Sequence, residues 1–257
     1  MGRIESFRAA LTAGAPMMGT FLKTPSAIVC EVLGMSPLAC VAIDAEHAPF
    51  GRMDIDACIA ALRAADMPSL VRVASAAAPD ILAALDCGAV GVIAPHIVSA
   101  GNARDLAKYC RYGPGGRGYA GSSRSARYST KSMADHVRDS NASVCVVAQI
   151  EDAEALDEID AIAATPGIDC LFVGRMDLTV SLGASSPKDP IVLDAVHRIC
   201  DAGKRHGKTV GMFFPPGEQV ADWLPHASFF LLGSDQGLLL DGARALAARL
   251  DGNAARG

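Results

Sequence analysis

The sequence predicts a parallel (β/α)8 barrel, a TIM barrel of the α/β class, formed by residues 1–257 as a single domain. Three observations predict it. Short, nearly all-apolar runs recur at intervals of a few tens of residues. Helical patterns lie between them. No glycine-rich turn follows the first run, where a doubly wound open sheet would place one; the turn reads Lys23-Thr24-Pro25-Ser26. Continuous apolar runs are what strands buried on both faces of a parallel sheet require. Eight of them alternating with helices fill one barrel.

The strands are expected near Met17–Leu22, Leu38–Ile43, Ser69–Val73, Val90–Ala94, Val144–Ile150, Cys170–Val173, Thr209–Phe213 and Phe229–Leu232. Thr24 reads as a helix cap with Pro25 in the first position and Gly34 as the stop. Asp54–Ala65 is amphipathic. Pro79–Cys87 ends at Gly88, a C-terminal glycine. Ala153–Ala164 and Ile191–His206 are further helices, and Leu238–Leu250 closes the chain. The segment 112–128, YGPGGRGYAGSSRSARY, is a long loop in which Arg117, Arg124 and Arg127 are placed to meet an anion. Long loops in compact domains are usually functional or mobile.

Composition narrows the partners. The chain is 51% hydrophobic and 20% charged, which excludes disorder. Lys and Arg number 23 against 28 Asp and Glu, a formal net charge of −5 without a basic block. No nucleic-acid partner is expected. No apolar stretch approaches the roughly 18 residues of a membrane helix, so no membrane partner is expected either. The eight cysteines include no C-x-x-C pair, which argues against a zinc ribbon and for a reducing, cytoplasmic setting. The first residues lack the apolar run of a signal peptide. Gly2 and Ser6 fit the loose myristoylation pattern, a match that six residues make easily by chance.

In a barrel the chemistry sits where strands end at their C-terminal edge. Strand two ends in Asp44-Ala-Glu-His47 and strand three in Arg72. Strand five ends in Gln149-Ile-Glu151, and Gly174-Arg-Met-Asp177 follows strand six. His47 is a base candidate, with Asp44 placed to hold its ring. Arg72, between valines, needs a carboxylate or an anionic substrate, because an unpaired buried charge is costly. Glu151 and Asp177 would repel each other unless a hard divalent cation lay between them. Both also read as ordinary helix-start acids. His96 is the other histidine expected at this rim. Gly233-Ser-Asp235 is a weak phosphate-loop candidate.

The elements IDAEHAPF (43–50), VRV (71–73), GPGGRGYAGSSRSARY, AQIED (148–152) and LFVGRMDLTVSLG (171–183) resemble the HpcH/HpaI aldolase family along nearly the whole chain. That resemblance implies a metal-dependent aldolase joining or splitting a 2-oxo acid and an aldehyde, with pyruvate the typical acid. It implies His47 as general base assisted by Asp44, with Asp86 of an adjacent subunit supporting it. Arg72 would hold the keto oxygen. Glu151 and Asp177 would bind Mg²⁺, Mn²⁺ or Co²⁺, with no organic cofactor. Gln149 and the main chain of Met176, with Arg72 and Asp177, would touch the substrate. It also implies a homo-oligomer, commonly a hexamer, whose last helix packs on a neighbour.

The chain departs from the family pattern at Arg175 and Met176, where Pro and Ala or Thr are usual, and at Pro95-His96. Arg175 or His96 is therefore expected to recognise a second acidic or polar group. A citrate-lyase-like enzyme acting on a CoA thioester is the alternative reading, and the Arg-rich loop keeps it open. A non-catalytic metabolite-binding barrel and a metal-independent isomerase are weaker rivals. Lys23, after strand one and away from Glu151 and Asp177, leaves little room for a Schiff-base mechanism.

Overall fold

A computed structural model describes residues 2–215 and 217–254, with side chains to Arg249. Eight parallel strands close on themselves in sequence order. They are β1 (Met17–Leu22), β2 (Cys40–Asp44), β3 (Ser69–Arg72), β4 (Gly91–Ala94), β5 (Cys145–Ile150), β6 (Cys170–Val173), β7 (Thr209–Phe214) and β8 (Phe229–Ser234). Closure comes from β1 pairing with β8, Met17 opposite Phe229 and Gly19 opposite Leu231. The helices are α1 (Arg3–Thr12), α2 (Ala27–Gly34), α3 (Arg52–Ala64), α4 (Ala78–Asp86), α5 (Ala100–Tyr109), α6 (Met133–Ser143), α7 (Ile159–Ala164), α8 (Arg175–Ser181), α9 (Pro190–Arg205) and α10 (Asp235–Ala254). All eight strands lie within two residues of their expected positions.

Strand alternation divides the apolar residues into two cores. Val41, Ile43, Val71, Val92, Val146 and Leu171 point outward against the helices. Ala42, Leu70, Ile93, Val147, Phe172 and Leu231 point inward and fill the barrel. The inward parity matters for the site. Continued toward the C-terminal edge, it carries Phe21 to Lys23, Ala42 to Asp44, Leu70 to Arg72, and Val147 to Gln149.

The other end of the barrel is shut. Phe7 and Leu11 of α1 pack into the interior cluster. The Arg8 guanidinium donates Nη2 to Asp169 Oδ1 at 2.8 Å, and Asp169 Oδ2 also accepts the N–H of Val146 at 2.9 Å. Sequence patterning missed α1, α5 and α6, and reached α8 only through Asp177 as a helix-start acid.

Three expectations change. The cap of α2 is Ser26, whose Oγ accepts from the Val29 N–H. The main-chain N–H groups of Lys23 and Thr24 are taken by Asp235 at 2.7 and 3.1 Å, so Thr24-Pro25 stays outside the helix. Ala153–Ala164 splits into a 3-10 turn (Ala153–Leu156) and α7, and Glu158 at the break accepts the N–H of Ala100. The 112–128 loop lies toward the N-terminal face, opposite the expected rim. Its Arg117 pairs with Asp86 at the end of α4 at 2.6 Å, and Arg124 with Asp56 of α3 at 2.6 Å. Arg127 lies 3.9 Å from Glu5 of α1.

All eight cysteines are free and buried. Burial pushes the thiols of Cys40, Cys110 and Cys200 up to about 12, so they behave as small apolar groups. Among the described residues no helix is long and apolar enough to cross a membrane.

Candidate active site at the C-terminal rim

The rim is organised around Asp44 and Arg72, which face each other across the β2–β3 pair in register. Arg72 Nε and Nη2 donate to the two Asp44 oxygens at 3.0 and 2.7 Å. The guanidinium also lies 4.7 Å from the centroid of the Phe21 ring. Asp44 is fully buried, and Arg72 is 7% exposed. Burial works to raise the Asp44 carboxyl, but the hydrogen bonds and charge of Arg72 outweigh it and hold the group below its ordinary value. The fork leaves Arg72 Nη1 without a protein partner among the described residues. That atom is therefore available to an incoming oxygen.

The Asp44–His47 relation differs from the expected one. Asp44 Oδ1 accepts the main-chain N–H of His47 at 3.1 Å. The His47 ring instead turns toward Glu46, with Nε2 3.8 Å from Oε2, and its side chain is 53% exposed. Asp44 thus fixes the loop that carries His47, while Arg72 occupies its oxygens. Lys23 also reaches Asp44, with Nζ 3.2 Å from Oδ2.

Glu46 is a site residue that the sequence reading missed. Its signal was available: it lies two residues after Asp44, on the same inward alternation. Glu46, His96 and Glu151 each offer a ligand atom within 4.8 Å of the others. Arg72 Nε lies 3.3 Å from Glu46 Oε2 without hydrogen-bond alignment, and that buried oxygen has no hydrogen-bond partner among the described residues. Burial, only partly offset by Arg72, and the nearby Glu151 push the Glu46 carboxyl above its ordinary value. Two buried carboxylates at this spacing require a proton or a cation. Three oxygen and nitrogen donors fit a divalent ion.

Glu151 is held from three directions. Gln149 Nε2 donates to its Oε2. The main-chain N–H of His96 donates to Oε1 at 2.9 Å. Gly174 backs onto it, and a Cβ there would lie 2.7 Å from the Glu151 Cβ and Oε2. Only glycine leaves this space. Gln149 is buried, and its Oε1 has no partner among the described residues. His96 adopts φ +55°, a left-handed conformation costly for a residue with a side chain. That twist aims its N–H at Glu151. Its ring Nδ1 lies 3.0 Å from Asp152 Oδ2. Burial lowers the His96 imidazole, but Asp152, Glu151 and Glu46 together raise it above its ordinary value.

The remaining expected residues are placed as follows. Asp177 stands exposed in the first turn of α8, a position that also suits an acid at a helix start. It is outside the Glu46–His96–Glu151 cluster. Met176, beside it, is 52% exposed. Arg175 is buried, donates Nη2 to Glu218, and stacks over the Phe214 ring at 5.0 Å. It pins the segment after β7 rather than facing the rim as a free cation. Asp86 lies at the far end of α4, where Arg117 occupies its Oδ1. Asp235, read as part of a phosphate loop, instead clamps the end of β1 with its carboxylate.

Fold and rim together define a (β/α)8 barrel enzyme. Its site concentrates carboxylates around one fixed guanidinium, an arrangement suited to holding a cation and stabilising an oxyanion. The profile of the HpcH/HpaI aldolase/citrate lyase family matches residues 17–241. The chain belongs to that family and is a carbon–carbon lyase. It is 35% identical over 252 residues to 4-hydroxy-2-oxovalerate aldolase of Rhodococcus jostii, covering 96% of each chain. It is 37% identical over 206 residues to hydroxypyruvate/pyruvate aldolase of Paraburkholderia phytofirmans, covering 77% of this chain and 78% of the relative. A solved HpcH/HpaI aldolase/citrate lyase family protein from Burkholderia cenocepacia superposes with a TM-score of 0.89 at 32% identity. That match covers 96% of this chain and 99% of the other.

Proposed function

We propose that the chain is a divalent-metal-dependent 2-oxo acid aldolase. It forms or cleaves a 4-hydroxy-2-oxo acid from pyruvate, or a related 2-oxo acid, and an aldehyde. The observation that carries this reading is the pairing of the Asp44–Arg72 fork with the acidic Glu46–His96–Glu151 cluster on one rim. Glu151 anchors the cation, Mg²⁺, Mn²⁺ or Co²⁺, and Asp177 is the second ligand that the family resemblance implies. Glu46 adds negative charge to the same space. When bound, such an ion supplies Lewis-acid stabilisation of a developing enolate oxygen.

The protein's own groups do the rest. Arg72, immobilised by Asp44, offers Nη1 to the keto oxygen and adds positive charge where the enolate forms. Gln149 orients Glu151 and leaves its own Oε1 for a donor on the substrate. The main-chain N–H of Met176 is proposed to contact the acid's carboxylate. His47 is the proton carrier. Its ring is exposed at the mouth, and Asp44 fixes its main chain. In the assembled enzyme, proposed to be a hexamer in the cytoplasm, Asp86 of an adjacent subunit would support His47 through Oδ2, since Arg117 holds its Oδ1. Leu238, Leu239, Leu240 and Leu246 of α10 are each more than half exposed, which suits packing of this helix on a neighbour.

The thioester reading is weaker. The arginines expected to meet CoA phosphates, Arg117 and Arg124, are engaged by Asp86 and Asp56 toward the opposite end of the barrel.

The decisive experiment is NMR exchange of the pyruvate methyl protons in D₂O, with Mn²⁺ or Mg²⁺ and then with excess EDTA. Metal-dependent exchange is expected. Its absence under both conditions, with no aldol product from an aldehyde screen, would reject the aldolase reading.

A further inference from the structure

The rim carries one cation that the proposed chemistry does not use. Lys23 stands just past β1, at the inward parity set by Phe21, and its side chain is 30% exposed. Its main chain is fixed: Asp235, itself buried, accepts the N–H groups of Lys23 and Thr24 at 2.7 and 3.1 Å. The ammonium lies 3.2 Å from Asp44 Oδ2, an oxygen that already accepts from Arg72 Nη2 at 2.7 Å. Arg72 already pairs with both Asp44 oxygens and also lies beside Glu46. Lys23 is therefore a second positive charge at the fork, and Asp44 takes one of the three donors of its partly exposed –NH₃⁺.

Two other cationic candidates are committed elsewhere. Arg175 is buried under Phe214 and bound to Glu218. The His96 ring is surrounded by Glu46, Glu151 and Asp152. Going round the barrel from β6 through β8 to β1, two lysines remain accessible at the rim among the described residues: Lys188, exposed between α8 and α9, and Lys23, the one beside the Asp44–Arg72 fork. It stands on the β1 side of the Asp44–Arg72 fork, whereas His96 and Glu151 follow β4 and β5. A 2-oxo acid held between Arg72 and the acidic cluster would place its aldehyde partner toward β1.

We propose that Lys23 is a specificity-determining residue that binds a carboxylate on the acceptor aldehyde. This rests on the aldolase reading and adds to it a substrate class, the acidic aldehyde. A monoanion fits better than a phosphate dianion, because Asp44 and Asp235 flank the lysine and would repel the extra charge. No covalent step at Lys23 is involved.

The test compares two two-carbon acceptors, glyoxylate and acetaldehyde, with pyruvate and Mn²⁺. Wild type, Lys23→Met and Lys23→Arg are assayed for kcat and KM. In Lys23→Met the glyoxylate-to-acetaldehyde ratio of kcat/KM falls by about 10-fold or more, through KM for glyoxylate, as expected for loss of one charge-assisted hydrogen bond. Lys23→Arg recovers most of the ratio. Equal losses for the two acceptors would overturn the proposal. So would a raised KM for pyruvate, which would place Lys23 on the 2-oxo acid. Trapping of pyruvate on Lys23 by borohydride would make it a Schiff-base lysine and overturn it as well. If wild type shows neither methyl exchange nor condensation with either acceptor, the aldolase reading itself has failed, an outcome distinct from a lost preference in the variant.

Discussion

The two ends of the barrel both bury charge, but they treat it differently. At the N-terminal face most buried groups are matched, with Arg117 Nε an exception among the described residues. Asp169 is held by Arg8 and the Val146 N–H, Asp86 by Arg117, and the Tyr112 hydroxyl lies 3.0 Å from His136 Nε2. At the C-terminal rim the accounts stay open. Among the described residues Glu46 Oε2 and Gln149 Oε1 lack partners and Arg72 Nη1 makes no hydrogen bond, while His96 holds a left-handed backbone to serve Glu151. A buried charge with complete partners holds a fold together. A cluster of carboxylates with incomplete partners, as at the rim, suits a ligand.

Substitutions at the two ends should therefore separate activity from stability. The largest expected effect is at Glu151. Glu151→Ala should lower metal-dependent pyruvate methyl exchange by roughly 10³-fold while the melting temperature stays near wild type. A comparable rate with lost stability would make Glu151 structural. Mn²⁺ affinity, read by EPR, should fall most in Glu151→Ala, less in Asp177→Asn and least in Glu46→Gln. An order headed by Glu46 would move the cation into the Glu46–His96–Glu151 cluster.

Next comes Arg72→Lys. An ammonium cannot span both Asp44 oxygens and still offer an N–H to substrate. Exchange should drop by about 10²-fold, the size typical for losing one oxyanion donor. An unchanged rate would remove Arg72 from the enolate step.

The opposite end should respond in stability alone. Asp169→Ala strands Arg8 and the buried Val146 N–H and should cost about 2 kcal/mol. For a chain of this size that is a fall of roughly 5 °C in Tm. Exchange per folded molecule should not change, and a selective loss of rate would join the two ends functionally.

The smallest effect is a pH slope. Burial, then the charge of Arg117, hold the His136 imidazole below its ordinary 6.5. Below that pH the unfolded chain takes up a proton that the folded chain resists, so His136 makes stability fall as pH drops through this region. Urea midpoints measured between pH 7.5 and 5.5 should decline in wild type, and the decline should be shallower in His136→Gln. Identical slopes would remove His136 as a source of the pH dependence.

Much of the rim was legible in the sequence because strand alternation is rigid. Asp44, Arg72 and Gln149 fall on the inward parity, and each ends or nearly ends its strand. Glu46 and Lys23 lie on the same parity one step further. Glu46 escaped, and Lys23 reads only as a Schiff-base lysine, because both sit in loops, where alternation is not guaranteed. Arg175 looked like a free rim cation. Only the chain after β7, folding back to bring Glu218 against it, shows that it is spent. The Arg-rich loop misled for a related reason. Its composition announces an anion site, but it precedes β5 and so lies at the closed end of the barrel, where Asp86 and Asp56 take its charges.

By itself the sequence determined the fold class, the strand positions, the free buried thiols and the ends of the strands that carry chemistry. These follow from short-range rules: apolar periodicity, turn residues, and polar side chains at the edges of apolar runs. The tertiary structure decided which charges meet. Partnership among Asp44, Arg72, Lys23, Glu46, His96 and Glu151 joins residues up to about 130 positions apart in the chain, through barrel closure and strand register. No local pattern encodes those distances, and they separate the ion pairs that hold the barrel from the groups left open to a substrate.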